Sequence, residues 1–437
     1  MPPAFGEGVL QPTRQVPGVN KSVISWALYD WANSAFATTV MAGFFPLFFK
    51  QYWSAGSDVG ASTFQLGLAN SLASLLIIFI APALGAIADQ GGARKGFLYA
   101  CTLLGAGMTG ALYFVAQGDW FLAALLYVGA SSGFFAGLIF YDALLVAVAT
   151  PARYDRVSAL GFALGYLGGG LLFALNVAMT LKPHWFGLQD AAQAVRVSFL
   201  TVAAWWVLFT LPLARWVPEP ARTGRGGLAA VAGGFRQLRD TFHEIRRLRH
   251  VGLFLLAYWC YIDAVDTIIR MAVDYGLAIG LAAESLIVAL LITQFVGFPA
   301  AVVFGRIGER FGPKSGIYVA IAVYCLVVLW AARMESAAEF YVLAVVIGLV
   351  QGGIQSLSRS LYARLIPADK SAEFFGFYNM LGKFAAVVGP VMVGWVSVAS
   401  GSPRLSLLSL LLLFGLGAWF LSRVDLGQGT RLARELE

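Results

Sequence analysis

The polar stretch GAIADQGGARK, residues 85–95, separates two long apolar segments with an acid, a glycine pair and two bases. A second stretch, GRIGERFGPK at residues 305–314, stands about half the chain away and also lies between apolar segments. Both stretches place a glycine, an acid, a second glycine and a base in the same order and at the same spacing. A repeat over that distance predicts two similar halves, each too large to be a solenoid unit.

The first stretch resembles the signature between the second and third helices of the major facilitator superfamily of transporters. Gln90 and Ala93 depart from that signature, which usually has basic residues there. Glycine permits close helix approach and tight turns, and the bases remain on the charged side of a membrane. The alternative is an ordinary tight turn between two membrane helices. The residues predicted to form gating loops are Gly85, Asp89, Gly92, Arg94, Gly305, Glu309, Gly312 and Lys314.

The composition indicates an integral membrane protein. Hydrophobic residues make up 59% of the 437 residues and charged residues only 12%, too little charge to cover the surface of a soluble domain. The net charge of +7 does not indicate nucleic-acid binding, because the bases lie between apolar runs. The three cysteines have no disulfide or zinc spacing, and the chain has no Walker loop, metal-ligand cluster or nucleophile triad. We therefore expect neither an enzyme nor a bound cofactor or metal.

Twelve apolar segments are each close to the ~20 residues that cross a bilayer. Their approximate bounds are 24–49, 65–88, 97–117, 120–148, 157–180, 196–217, 251–275, 283–308, 315–333, 339–362, 373–399 and 405–423. The predicted organisation is an N-terminal tail (1–22), a six-helix bundle (23–217), a linker (218–250), a second six-helix bundle (251–424) and a C-terminal tail (425–437).

Most of the 30 lysines and arginines fall in segments on one side of the predicted membrane. The positive-inside rule then places both termini in the cytoplasm, in a bacterial-type plasma membrane. Within the linker, apolar residues recur at intervals of three and four and arginines fill the other face, which predicts an amphipathic helix on the lipid surface. A protein-binding segment is the alternative. The apolar positions are Leu228, Val231, Phe235, Leu238, Phe242 and Ile245.

Four further runs carry a narrower resemblance, to the UMF1 branch of the superfamily, whose fungal vacuolar relatives are linked to amino-acid efflux. The runs are WALYDWANSAF at 26–36, DRVS at 155–158 leading to Gly165-Tyr166, YID at 261–263, and QGG at 351–353 with SRS at 358–360. Ala264 departs from the glycine usual after the third run. The resemblance implies a transporter with amino acids as a candidate substrate class.

Charged and amide side chains recur on single helix faces inside the spans, where each is costly and thus a candidate for function. One face of the seventh span carries Asp263, Asp266, Arg270 and Asp274. The other candidates are Asp30 and Asn33 in the first span, Asp142 in the fourth, Gln351 and Gln355 in the tenth, and Asn379 and Lys383 in the eleventh. The structural alternative makes these side chains gate-closing ion pairs and hydrogen bonds between helices.

We count Arg359 with the cytoplasmic loops, and the spans then hold more acidic than basic residues. Arg270 and Lys383 are then the two bases inside the spans, so several carboxylates have no basic partner there. Asp263 is nearest the midplane and is predicted to carry a proton, whereas Asp266 is predicted to remain ionised beside Arg270.

These patterns predict an all-α integral membrane protein, with twelve transmembrane helices in two pseudo-symmetric halves of the major facilitator fold. The predicted activity is proton-coupled secondary transport of a small polar solute, such as an amino acid, by a monomer in contact with lipids. The alternatives are a drug or hydrophobic-metabolite exporter and a non-transporting receptor or assembly factor.

Overall fold

The computed structural model describes residues 20–56, 59–219, 248–278, 283–334, 336–400 and 403–436. The described residues are 89% helical and contain no strand. The predicted amphipathic helix over 228–245 lies outside the described residues.

The helices of the first half are α1 Lys21–Trp53, α2 Val59–Gly91, α3 Arg94–Ala111, α4 Trp120–Ala143, α5 Tyr154–Leu181 and α6 Ala191–Trp216. Those of the second half are α7 Arg249–Ala278, α8 Ala283–Phe311, α9 Pro313–Ala331, α10 Ala337–Leu365, α11 Ser371–Ser400 and α12, which joins Pro403–Leu408 to Leu410–Ser422. A further helix, α13 Leu426–Arg434, follows α12 at a bend of 63°.

Eleven helices in the described ranges are long and apolar enough to cross a membrane, and α12 with α13 brings the number to as many as twelve. The predicted fold class is therefore confirmed. The sequence did not predict α13, which begins where Asp425 accepts a hydrogen bond from the backbone N–H of Gln428 (3.1 Å). A carboxylate at this position satisfies one of the unpaired N–H groups of the first turn.

The two halves meet through pairs of helices that exchange under a two-fold operation. The main contacts between halves are α2 with α11 and α5 with α8, and weaker contacts join α4 with α11 and α5 with α10. If six is added to the number of each first-half helix and subtracted from the number of each second-half helix, the α2–α11 pair becomes the α8–α5 pair. The α4–α11 pair becomes the α10–α5 pair in the same way. The contacts therefore carry the pseudo-symmetry that the repeated stretches predict.

Both predicted gating loops are glycine turns at the same end of the molecule, which we call the gate end. Gly92 follows α2 with φ of 54°, and Gly312 separates α8 from α9 with φ of 84°. Other residue types rarely adopt these left-handed conformations, which explains glycine at both turns. The α2–α11 and α5–α8 contacts are tight near this end, so the halves are closed against each other there.

Candidate functional site

A cavity of about 320 Å³ lies between the two halves. Most of the predicted polar candidates line it, and they come from five helices of both halves. These residues are Asp30, Asn33, Asp142, Asp266, Gln351, Gln355, Asn379 and Lys383. Gln294 of α8 and Arg359 of α10 also line the cavity, and the sequence analysis had not proposed either. The topology thus gathers polar side chains that are distant in sequence onto one surface.

Arg359 is the central charge of the site. The residue is 2% exposed, and its Nη1 lies 3.0 Å from Oδ1 of Asp142 and 3.9 Å from Oδ2 of Asp30. The prediction that counted Arg359 with the loops is wrong, because the residue lies inside α10 and faces the cavity. The prediction that several carboxylates in the spans have no basic partner is wrong for Asp30 and Asp142 for the same reason.

Three aromatic rings surround the Arg359 guanidinium. Its central carbon lies 4.9, 5.0 and 4.4 Å from the ring centroids of Trp26, Tyr141 and Phe162. Trp26 and Tyr141 are stacked at 4.4 Å, and the Trp26 indole donates to the Tyr141 carbonyl oxygen (2.9 Å). A cation away from water gains from such ring faces, so the cage partly replaces the lost hydration of the guanidinium.

Hydrogen bonds around Arg359 join the halves. Nε donates to the Ser158 hydroxyl and Nη2 to the Ser158 carbonyl oxygen, both at 2.8 Å. The Ser158 hydroxyl donates to the Ser356 carbonyl oxygen (2.7 Å), and Asn379 donates to Oδ2 of Asp142 (3.1 Å). Ser158 and Arg359 both belong to the runs that carried the narrower resemblance, which is the signal that could have identified them.

The predicted ladder on α7 divides between two environments. Asp263 is 1% exposed and accepts a hydrogen bond from the backbone N–H of Gly389 on α11 (2.8 Å). Asp266, one turn further, lines the cavity. The prediction of Asp263 as a cavity group is therefore wrong in its placement, because α11 covers that side of α7. The side chains of Arg270 and Asp274 lie outside the described residues.

Lys383 places a second positive charge on the cavity wall. Its Nζ lies 3.4 Å from the ring centroid of Phe135, which belongs to the opposite half. Lys383 is one turn along α11 from Asn379, so the two side chains follow one helix face as predicted. The cavity consequently presents charges of both signs together with neutral amides.

The first gating stretch seals α2 against the beginning of α11. Asp89 is buried, and its carboxylate accepts from the N–H groups of Ala372 (3.3 Å) and Glu373 (2.9 Å). Arg94 pairs with Asp89 at 2.6 Å and donates to the Asp369 carbonyl oxygen at 2.7 Å. The acid compensates the positive end of the helix dipole of α11, and the arginine neutralises the acid.

The second stretch repeats the close helix approach but differs in its charges. Gly305 packs on Ala159 of α5, whereas Glu309 is exposed. The ion pair between the halves at this position instead joins Asp155 of α5 to Arg364 of α10 (2.8 Å). Asp155, and not the exposed Glu309, therefore supplies the acid of this ion pair between the halves.

The base of the second stretch also differs from its predicted counterpart. Lys314 donates to the Val424 carbonyl oxygen after α12 (2.8 Å), inside the second half. Lys95, not Arg94, makes the equivalent contact in the first half, donating to the Val217 carbonyl oxygen after α6 (2.7 Å). Lys314 therefore anchors a helix end within one half, while Arg94 joins the halves.

Solved transporter structures share this arrangement of helices. The chain superimposes on the human organic anion transporter MFSD10 (TETRAN) with a TM-score of 0.70 at 16% identity, covering 93% of this chain and 100% of that one. It superimposes on the proton:xylose symporter XylE with a TM-score of 0.71 at 14% identity, covering 95% and 98%. The fold is that of the major facilitator superfamily, whose members are transporters and not enzymes.

A narrower family is shown by the sequence comparison. The family described as "Vacuole effluxer Atg22 like" matches residues 59–434, and the chain belongs to this family. The chain is 37% identical to the uncharacterised MFS-type transporter YxiO of Bacillus subtilis, over 94% of this chain and 96% of that protein. It is 27% identical to autophagy-related protein 22 of Yarrowia lipolytica, over 64% of this chain and 52% of that protein. The protein is therefore a multi-pass secondary transporter of the Atg22/UMF1 branch.

Proposed function

We propose that the protein transports a small zwitterionic solute, such as an amino acid, and couples its movement to protons by alternating access. The observation that carries this proposal is the cavity wall, on which Asp266 and Lys383 present opposite charges among Gln351, Gln355 and Asn33. A carboxylate would bind towards Lys383 and an ammonium towards Asp266, with the amides orienting both. Binding between two related halves is the arrangement on which rocking transporters depend.

We place the gate end in the cytoplasm, in a bacterial-type plasma membrane, because the basic residues of the loops concentrate there. The described halves are closed at that end, and the cavity lies beyond the closure. In this orientation the structure corresponds to a state closed to the cytoplasm.

A thermal-shift screen against amino acids, sugars, nucleosides and cationic drugs tests the solute class. A ligand of the folded state stabilises it by about 2.7 kcal/mol at one hundred times its Kd. We expect amino acids to raise the apparent melting temperature and the other classes to leave it unchanged.

The matched variants for this screen are Lys383→Met and Lys182→Met. The Lys383→Met variant removes the charge that receives the solute carboxylate, so the amino-acid shift should disappear. The Lys182→Met variant removes an exposed lysine at the end of α5 that does not line the cavity, and it should retain the full shift. An unchanged shift in Lys383→Met would exclude this lysine as the carboxylate site.

A drug or hydrophobic-metabolite exporter is the second candidate, and an apolar cavity of about 160 Å³ in the second half favours it. Its wall includes Leu290, Phe340 and Leu343, and it shares Gln294 and Gln351 with the polar cavity. Stabilisation by cationic drugs and not by amino acids would select this candidate. Absence of flux in reconstituted vesicles with every class would instead favour a receptor or assembly factor.

A further inference from the structure

Asp30 and Asp142 share Arg359 but differ in the chemistry of their other partners. Asp142 accepts from Arg359 at one oxygen and from the Asn379 amide at the other, at 3.0 and 3.1 Å. Arginine and the NH₂ of an amide can only donate, so this environment is satisfied by an ionised carboxylate. A proton on Asp142 would oppose one of these two donors.

Asp30 has hydroxyl partners on both oxygens. Tyr141 donates to Oδ2 at 3.1 Å and Ser34 donates to Oδ1 at 3.2 Å, while Arg359 stands further away at 3.9 Å. A hydroxyl can donate to an ionised carboxylate and accept from a protonated one. The environment of Asp30 therefore suits both protonation states, and that of Asp142 suits one.

The charges of the cluster do not balance without a further cation. One arginine faces two carboxylates inside a wall of aromatic rings, so the cluster is negative by one charge when both acids are ionised. The other titratable groups that face the cluster belong to α5, α7 and α11. They are Tyr166, Tyr258, Asp266, Tyr378 and Lys383. Asp30 and Ser34 line the cavity, which gives a proton in the cavity a route to Asp30.

We propose that Asp30 is the residue that binds the transported proton and that Asp142 is the permanent partner of Arg359, so that proton binding loosens the contact between the halves. The proton moves from cavity water to a carboxylate oxygen of Asp30, and the Tyr141 or Ser34 hydroxyl turns to accept it. Arg359 keeps its bond to Asp142 and loses its attraction to Asp30. With the proton bound, the cluster of Asp30, Asp142 and Arg359 has no net charge. A neutral cluster costs less to move within apolar surroundings, so the halves can rearrange more easily. This inference rests on the proposed proton coupling.

The variants Asp30→Asn and Asp142→Asn test the assignment, with Asp263→Asn as the control. Asp263 is also a buried aspartate, but it lies outside the cavity and accepts a hydrogen bond from the backbone N–H of Gly389. An asparagine oxygen can accept the same hydrogen bond. Infrared difference spectra of the purified full-length protein between acidic and alkaline buffer report a carboxylic acid that titrates, without any solute. The wild-type spectrum should contain a band from a buried carboxylic acid that Asp263→Asn retains and Asp30→Asn loses. In Asp142→Asn the same group should titrate at lower pH, because Arg359 then faces Asp30 alone.

Flux of a labelled mixture of the standard amino acids supplies the second readout, in proteoliposomes. We expect Asp30→Asn to lose accumulation driven by a pH gradient by at least about tenfold, to retain exchange, and to show a flat pH profile of exchange. Asp263→Asn should resemble the wild type in all three. A titrating band that survives in Asp30→Asn, or full accumulation by this variant, overturns the assignment. If the wild type itself does not accumulate amino acids, the proposed function is overturned. The infrared spectra need no solute, so they decide independently whether Asp30 titrates.

Discussion

Gly85→Leu is expected to abolish transport while leaving the protein in the membrane. A Cβ at position 85 would collide with the backbone carbonyl of Ala372 and with the Cα of Glu373, neither of which can rotate away. Overpacking at such a contact costs about 1–3 kcal/mol, so the closed gate should become less populated by up to about a hundredfold. The measurement is the initial rate of solute uptake in proteoliposomes containing equal amounts of protein.

Gly67→Leu is the matched control on the same helix. Gly67 is exposed, and an added Cβ would have no neighbour within 4 Å. This variant should transport at the wild-type rate, since a larger side chain there meets no protein. Equal rates for Gly85→Leu and the wild type would show that the α2–α11 contact is not part of the transport cycle.

Arg359→Met is expected to cause the largest loss of stability among single changes in the cavity. The substitution leaves Asp30 and Asp142 buried without their cation, and breaking a buried ion pair in this way costs about 3–5 kcal/mol. The Trp26, Tyr141 and Phe162 rings would accommodate the methionine side chain, so the lost charge dominates over lost packing. The apparent melting temperature of the purified protein measures the effect.

A triple variant separates charge from shape at this position. When Asp30→Asn and Asp142→Asn accompany Arg359→Met, no uncompensated charge remains in the cluster. Most of the lost stability should return, although transport should not, because the proton site is absent. If the triple variant were less stable than Arg359→Met alone, the ion pairs would not be the source of the stability.

The fold could be predicted from sequence because membrane helices are determined mainly by local composition. Long apolar runs give the spans, and the repeated order of glycine, acid, glycine and base at 85–94 and 305–314 gives the two halves. The turns at Gly92 and Gly312 and the close packing at Gly85 and Gly305 also follow from residue type alone. The spans and turns depend on the chain near each residue, and glycine marks the positions that a distant helix can approach closely.

The site could be predicted only in part because its pairings are made by residues far apart in the chain. Periodicity placed Asp263 and Asp266 on one face of α7, but only the position of α11 decides that Asp263 is covered and Asp266 faces the cavity. Arg359 was counted as a loop base although it falls within the predicted span 339–362, because a sequence does not show the two acids and three rings that stabilise it. Glu309 has the same position in its stretch as Asp89, but Glu309 is exposed. The spacing of a repeat does not tell which of its side chains are buried.

Uptake of labelled amino acids into proteoliposomes under an imposed pH gradient tests the central claim most directly. The wild-type protein should accumulate solute against its gradient while the pH difference lasts, and a protonophore should reduce the accumulation to equilibration. Lys383→Met should show little uptake, and Lys182→Met should match the wild type. Wild-type uptake that only equilibrates, with or without the pH gradient, would contradict proton-coupled transport through this cavity.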